Sequence, residues 1–313
     1  MACRLVAIAI LMTTSDQPTD LLANYIERRS MRLENYCMMS EDDLFLLLGE
    51  LPNATTGRDY IYIDNHAPVL AVCHADLAGS IVNDVDFAEA YTNRGRHFVT
   101  SPALDDRLGI WLLIEYISKR VDVDILITTG EESGSSTAFE FAEDMLGLRE
   151  WNWIVEFDRR GDDYVTYEFE NSRFDKKMAR CGFKKGIGSF SDICLLEDFG
   201  VMAFNVGIGY HHEHSKQCYA DLDETMDQVA RFMKFYRKYS GVRFENHGMT
   251  RLVSDDSLFS AYDMEERYEG YRPDDWWFDP HNHSDDHAKC HHKPKQPKQP
   301  SVRYANGKRR IHV

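Results

Sequence analysis

Apolar residues in this chain come in two arrangements. Some form short unbroken runs, and others recur every three or four positions among polar residues. The first arrangement marks strands buried on both faces, and the second marks helices with one apolar stripe. An unbroken run at residues 68–73 and largely apolar runs at 122–129, 153–157 and 201–209 predict strands of a central sheet. Residues 60–64 alternate as a strand does, and residues 164–169 alternate as an edge strand would. Helical spacing covers residues 20–26 with Thr19 or Asp20 near the cap, then 41–51 up to Pro52, 107–117, 137–146 and 223–239. Residues 77–100 are rich in loop with some strand character, and residues 186–192 form a Gly/Ser-rich loop.

Strands and helices alternating in this way predict an α/β fold. The expected form is a mixed, mostly parallel sheet flanked by helices on both faces, in one catalytic domain over residues 1–240. Ligands of such sheets bind at the carboxyl edge of the strands. Past residue 241 the pattern changes. Residues 255–286 are acidic and aromatic, 281–292 are rich in His and Asp, and 293–313 are basic with Pro-Lys-Gln repeated. Having little periodicity, residues 241–313 read as a largely disordered tail. Its histidines and Cys290 match no zinc-finger spacing, so a solvated tail is the plainer reading.

Charge and cysteine usage narrow the picture. The formal net charge of −16 argues against a nucleic-acid partner, although acidic groups can be spent on cations. The seven cysteines are scattered and form no CxxC pair, which fits reduced thiols in a cytoplasmic protein. No apolar run is long enough to span a membrane. Residues 5–12 are apolar but lack the flanks of a signal peptide, and they read as the start of a strand or helix.

The run at 122–129 breaks at Gly130 into Glu131 and Glu132, just before a helix. Taken alone, the pair reads as two solvated glutamates favoured by the helix dipole. The other runs end in a similar way. His74 follows 68–73, Asp158 follows 153–157, His214 follows 201–209, and Asp105 stands just before the helix at 107–117. Two imidazoles and three carboxylates are thus expected at one edge of one sheet. Nitrogen and oxygen donors without a thiolate suit Zn2+, or Co2+ and Mn2+. Five donors are too many for one tetrahedral catalytic zinc and suit two divalent ions bridged by a carboxylate.

In order and local context these residues resemble the co-catalytic di-zinc exopeptidases, the zinc aminopeptidases and relatives of acetylornithine deacetylase. That family's pattern is His-x-Asp, Asp-Asp before a helix, Glu-Glu, Asp or Glu, and a final His. This chain offers His74-Ala75-Asp76, Asp105-Asp106, Glu131-Glu132, Asp158 and His214. The resemblance covers roughly residues 60–240. It implies that Asp105 bridges two ions through a residue whose peptide bond to Asp106 is cis. His74 and Asp158 would then hold one ion, and Glu132 and His214 the other. Asp76 would orient His74 from its far nitrogen, and Glu131 would be the general base.

The implied activity is hydrolysis of an amide in a small peptide or an N-acyl amino acid, by exo- rather than endo-attack. The interval 158–214 is too short for the dimerisation domain that many relatives insert there, and 74–105 is too short for the domain that other relatives insert between His-x-Asp and Asp-Asp. The chain is therefore most similar to the single-domain aminopeptidases, with its oligomeric state open. His212 stays an alternative to His214 as the last ligand. Tyr210 and His212 are candidates for substrate contact. Arg159 and Arg160 can bind a substrate carboxylate or simply form a surface pair. The alternative function is a metal-binding scaffold or interaction protein that has lost catalysis; an intact Glu131 speaks against it. A deacylase or cell-wall peptide amidase would keep the same site.

Overall fold

The structure is a computed structural model that describes residues 31–81 and 87–248, together with the backbone of 304–305 and 308–309. The expectations for residues 5–12 and 20–26, and nearly all of those for the tail, lie outside the described residues. The chain divides into two units, Met1–Leu252 and Val253–Val313. In the second, Tyr304–Ala305 pairs antiparallel with Lys308–Arg309. No helix of the described residues is long and apolar enough to cross a membrane.

Among the described residues the first unit opens with two helices, α1 (Leu33–Cys37) and α2 (Glu41–Gly49). Ser40 caps α2 by accepting the Asp43 N–H at 3.1 Å, and three acids fill the first turn. Next come β1 (Ala54–Thr56), β2 (Ile61–Ile63), β3 (Val69–His74), β4 (Glu89–Asn93) and β5 (Arg96–Thr100). Helix α3 (Leu104–Trp111) continues in wider turns through Ile117. It is followed by β6 (Asp124–Thr128), α4 (Ala138–Met145), β7 (Trp153–Arg159), β8 (Asp163–Val165), α5 (Ser172–Cys181) and β9 (Lys184–Lys185). A 3-10 segment (Asp192–Phe199), β10 (Ala203–Gly207), β11 (Tyr210–His211), β12 (Tyr219–Asp221) and α6 (Leu222–Tyr239) complete the unit.

The main sheet has eight strands in the order β1-β2-β6-β3-β7-β10-β8-β9. Its centre, β6-β3-β7-β10, is parallel, and the antiparallel pairs lie outside it. This is the mixed, mostly parallel α/β sheet that the apolar runs predict. β3 and β6 are buried at every residue, as strands covered on both sides must be. Along β7 the side chains alternate. Trp153 and Phe157 pack on Phe232 of α6, while Glu156 points to the other face and accepts a hydrogen bond from Ser191. A second sheet, β11-β12-β5-β4, takes up residues 89–100 and 210–221.

The strand at 164–169 is shorter than its alternation predicts and is not the edge. β9 pairs outside it, and two residues are too few to show a period. Helix α5 escaped notice because its 10 residues are strongly charged. Only Phe174, Met178 and Cys181 supply its buried stripe, with Asn171 as the cap and Gly182 in the left-handed conformation at its end.

Candidate metal centre

β3, β6, β7 and β10 point the same way, so their carboxyl ends lie side by side at one edge. His74 is the last residue of β3. Glu131 and Glu132 follow β6 through Gly130, whose φ is +79° and whose Cβ, if added, would lie 2.4 Å from the Ser135 carbonyl oxygen. A glycine is needed for that tight turn. Asp158 lies near the end of β7, and His214 lies beyond β10 and β11 at a φ of +55°. Asp105 comes from the start of α3, and its peptide bond to Asp106 is cis.

The five expected donors meet in two groups. His74 Nε2 lies 3.2 Å from Asp105 Oδ1 and 3.4 Å from Asp158 Oδ1. His214 Nε2 lies 3.2 Å from Asp105 Oδ2 and 2.9 Å from Glu132 Oε2. In each triad one donor atom per residue falls within 4.8 Å of the others. Asp105 belongs to both, with one oxygen facing each imidazole. His212 joins neither triad: it is exposed, its ring centroid lies 5.7 Å from that of Tyr219, and its carbonyl accepts the Ser215 hydroxyl.

Glu131 offers an oxygen within 4.8 Å of donor atoms on His74 and Glu132. Asp76 ties this corner together. Its Oδ1 lies 3.3 Å from His74 Nδ1, and its carboxylate accepts the backbone N–H of Glu131 at 3.3 Å and of Glu132 at 3.1 Å. One side chain thus orients a histidine and pins the turn that carries both glutamates. Gly109 allows α3 to sit against β7, because a Cβ there would lie 2.2 Å from the Phe157 carbonyl oxygen and 2.3 Å from Asp106 Oδ1.

The electrostatics fit divalent cations. Asp76, Asp105, Asp106, Glu131, Glu132 and Asp158 face only two imidazoles, and fully buried Arg107 adds one positive charge felt by Asp76 and Asp106. Burial pushes the Asp158 carboxyl up to about 8, with Asp105 adding to the shift and His74 opposing it. Burial also pushes Glu131 well up, His74 opposing and Asp158, Asp192 and Glu132 adding. Burial works against the charge on His214, yet Asp105 and Glu132 overcome it and hold the imidazole up to about 11. Glu132 Oε1 is buried without a hydrogen-bond partner. A cluster of repelling carboxylates with an unpartnered oxygen is matched by positive charge, and its donors are of the type that holds divalent ions. The residues present therefore fit two divalent ions.

No protein-family model matches the sequence, and no curated protein gives a significant match. Among solved structures, an aminopeptidase from the archaeon Desulfurococcus kamchatkensis aligns with a TM-score of 0.50 at 12% identity, over 69% of this chain and 95% of its own. This chain shares that fold. A tripeptidase from Staphylococcus aureus (TM-score 0.47, 10% identity) and the aminopeptidase PepT from Bacillus cereus (TM-score 0.46, 11% identity) each align over 71% of this chain and 99% of theirs. The architecture implied by the resemblance is the architecture observed.

The candidates for substrate contact are placed differently. Tyr210 is buried and donates its hydroxyl to Asp158 Oδ1 at 3.3 Å. Arg159 is held by Asp163, with Nε–Oδ1 at 2.5 Å and Nη2–Oδ2 at 3.2 Å, and also donates to the Ile187 carbonyl at 3.0 Å. Arg160 pairs with Glu213. Of the polar groups beneath the site, sequence reasoning placed Ser191 and Asp192 in a loop lining the cleft and missed Thr128, Glu156 and Asn205. Thr128 donates to Asp192, Ser191 donates to Glu156, and Asn205 bonds to the backbone of Asp158. The available signal was a polar residue inside an apolar strand run, as in Val155-Glu156-Phe157 and Phe204-Asn205-Val206.

Proposed function

We propose that this protein is a metal-dependent hydrolase that cleaves an amide bond in a small peptide or N-acyl amino acid. The observation that carries the reading is the pair of triads, His74/Asp105/Asp158 and Asp105/Glu132/His214, sharing one carboxylate beside Glu131. His74 and Asp158 would hold one divalent ion and Glu132 and His214 the other, with Asp105 touching both. Zinc suits the donor set best. Bound there, a pair of ions acidifies a water and polarises the scissile carbonyl.

The chain's own groups supply the rest. Glu131 takes a proton from the attacking water at its carboxylate and delivers it to the leaving nitrogen. Burial has already raised the affinity of Glu131 for that proton, which favours its uptake from the attacking water. Asp76 holds His74 at its far nitrogen and fixes the Glu131–Glu132 backbone. Tyr210 orients Asp158 through its hydroxyl. Arg159, neutralised by Asp163, serves better as a wall beside the site than as a receptor for a free carboxylate. The aminopeptidase fold supports exo-attack on peptides. The five free thiols among the described residues support a reducing, cytoplasmic setting.

Bound zinc per chain, followed by hydrolysis of a panel of free-amine peptides and N-acyl amino acids, tests the proposal. About two ions and a Glu131→Ala rate lowered ~10²–10⁴-fold with the ions retained are expected. A chain that takes up no ion when zinc is offered would reject it.

A further inference from the structure

Asp158 sits at a break in the ladder. β10 pairs with β7 in parallel, Ala203 with Ile154, Phe204 with Val155 and Asn205 with Glu156, and the register then jumps to Gly207 with Arg159. Two residues of β7, Phe157 and Asp158, thus oppose the single Val206. A bulge of this kind re-aims a side chain and strips the extra residues of regular ladder bonds. The backbone groups left over still need partners, because Asp158 lies in the interior of the sheet.

Asn205 supplies them. Its Oδ1 accepts the Asp158 N–H at 3.1 Å, and its Nδ2 donates to the Asp158 carbonyl at 3.3 Å. One side-chain amide imitates the missing backbone neighbour. The same Nδ2 lies 3.2 Å from Ser191 Oγ and 3.4 Å from the Tyr167 hydroxyl, so the amide is itself held in one orientation. Asn205 is 1 % exposed and sits in a strand otherwise buried and apolar. An amide in that position is costly unless its bonds are made. Here they are spent on the backbone of one candidate ligand.

We propose that Asn205 is the positioning residue for Asp158, setting the affinity of the His74/Asp105/Asp158 ion while leaving the Asp105/Glu132/His214 ion alone. It acts on the first triad only, because its bonds reach the β7 bulge and none reaches Glu132 or His214. The inference rests on the metal reading above.

Calorimetric titration of the metal-stripped full-length protein with Zn2+ tests it; tail histidines contribute equally to every variant. Asn205→Ala should weaken one class of bound zinc by about 10–100-fold, the range for groups that orient a ligand, and leave the other class unchanged. In a His214→Ala background the loss should persist; in an Asp158→Ala background Asn205→Ala should add nothing. Val206→Ala, on the same strand but facing away, controls for general loosening and should leave both classes intact. If Asn205→Ala does not fold, Asn205→Ser carries the same expectation, since its hydroxyl is too short to bridge both backbone groups. Equal weakening of both classes, a full effect in the Asp158→Ala background, or the same pattern from Val206→Ala would overturn the assignment alone. A wild-type protein without tight zinc would overturn the metal reading and this inference with it.

Discussion

β6 has an acid at each end, and the two ends are built on opposite rules. At its start Asp124 is fully buried, and every direction around it is filled. Its oxygens accept from the Tyr62 hydroxyl at 3.0 Å, Trp151 Nε1 at 2.8 Å, Arg149 Nη2 at 2.6 Å and the backbone of Asn65 and Ala67 at 2.9 Å each. Past its end, Glu131 and Glu132 face other carboxylates, and Glu132 Oε1 has no partner. Burial by itself does not separate a structural acid from a functional one. The separation lies in whether the chain supplies the countercharge or leaves it to something that binds.

The largest effect that distinguishes the two ends should come from Asp124→Ala. It would strand several buried donors and destabilise the fold by about 3–5 kcal/mol. Thermal unfolding should show that loss with or without zinc. Asp158→Asn should do the reverse: the metal-free protein unfolds at the same or a higher temperature, because folding no longer has to keep a proton on a buried carboxyl, while zinc no longer raises that temperature. A metal-free Asp158→Asn protein clearly less stable than wild type would mean that the far end is structural too.

A smaller, graded effect is expected from pH. The folded Asp158 carboxyl keeps its proton up to about 8 against 3.8 for the free side chain, and folded His214 keeps its own up to about 11 against 6.5. Both values are raised, so the stability each group contributes is full below its unfolded value and is lost as pH rises through its folded one. The melting temperature of the metal-free protein should therefore fall from about pH 5 to pH 9, and bound zinc should abolish the slope. Release of protons on zinc binding at neutral pH, read in buffers of different ionisation enthalpy, is the matching signature. The smallest effect belongs to the surface. Arg160→Ala breaks an exposed pair with Glu213 and should cost ~0–1 kcal/mol without moving either zinc class.

What the sequence made legible follows the same division. The strands at β3, β6, β7 and β10 stood out because they are largely buried on both faces and leave few polar positions to blur the run. Four of the donors stood out because each ends or follows such a run, and Asp105 because it stands just before a helix. β9 was too short to carry a period, and α5 hid its stripe among lysines and arginines. The bulge at Asp158 was illegible for a different reason. A register shift depends on the pairing of two strands far apart in sequence, and neither strand alone records it. The choice between His212 and His214 likewise depends on two left-handed residues in one loop, which swing alternate side chains in different directions.

Gly109 bears on ion size. Asp105 arrives on α3 and Asp158 on β7, and the space between those two elements is closed to the point where not even a methyl group fits. On the metal reading proposed above, the radius of a cation that both carboxylates could touch at once would depend on a residue that touches neither. Alanine at position 109 would lever the helix outward and should shift preference from the smaller zinc ion toward manganese, so the selectivity of the centre is encoded partly in an atom the chain does not have.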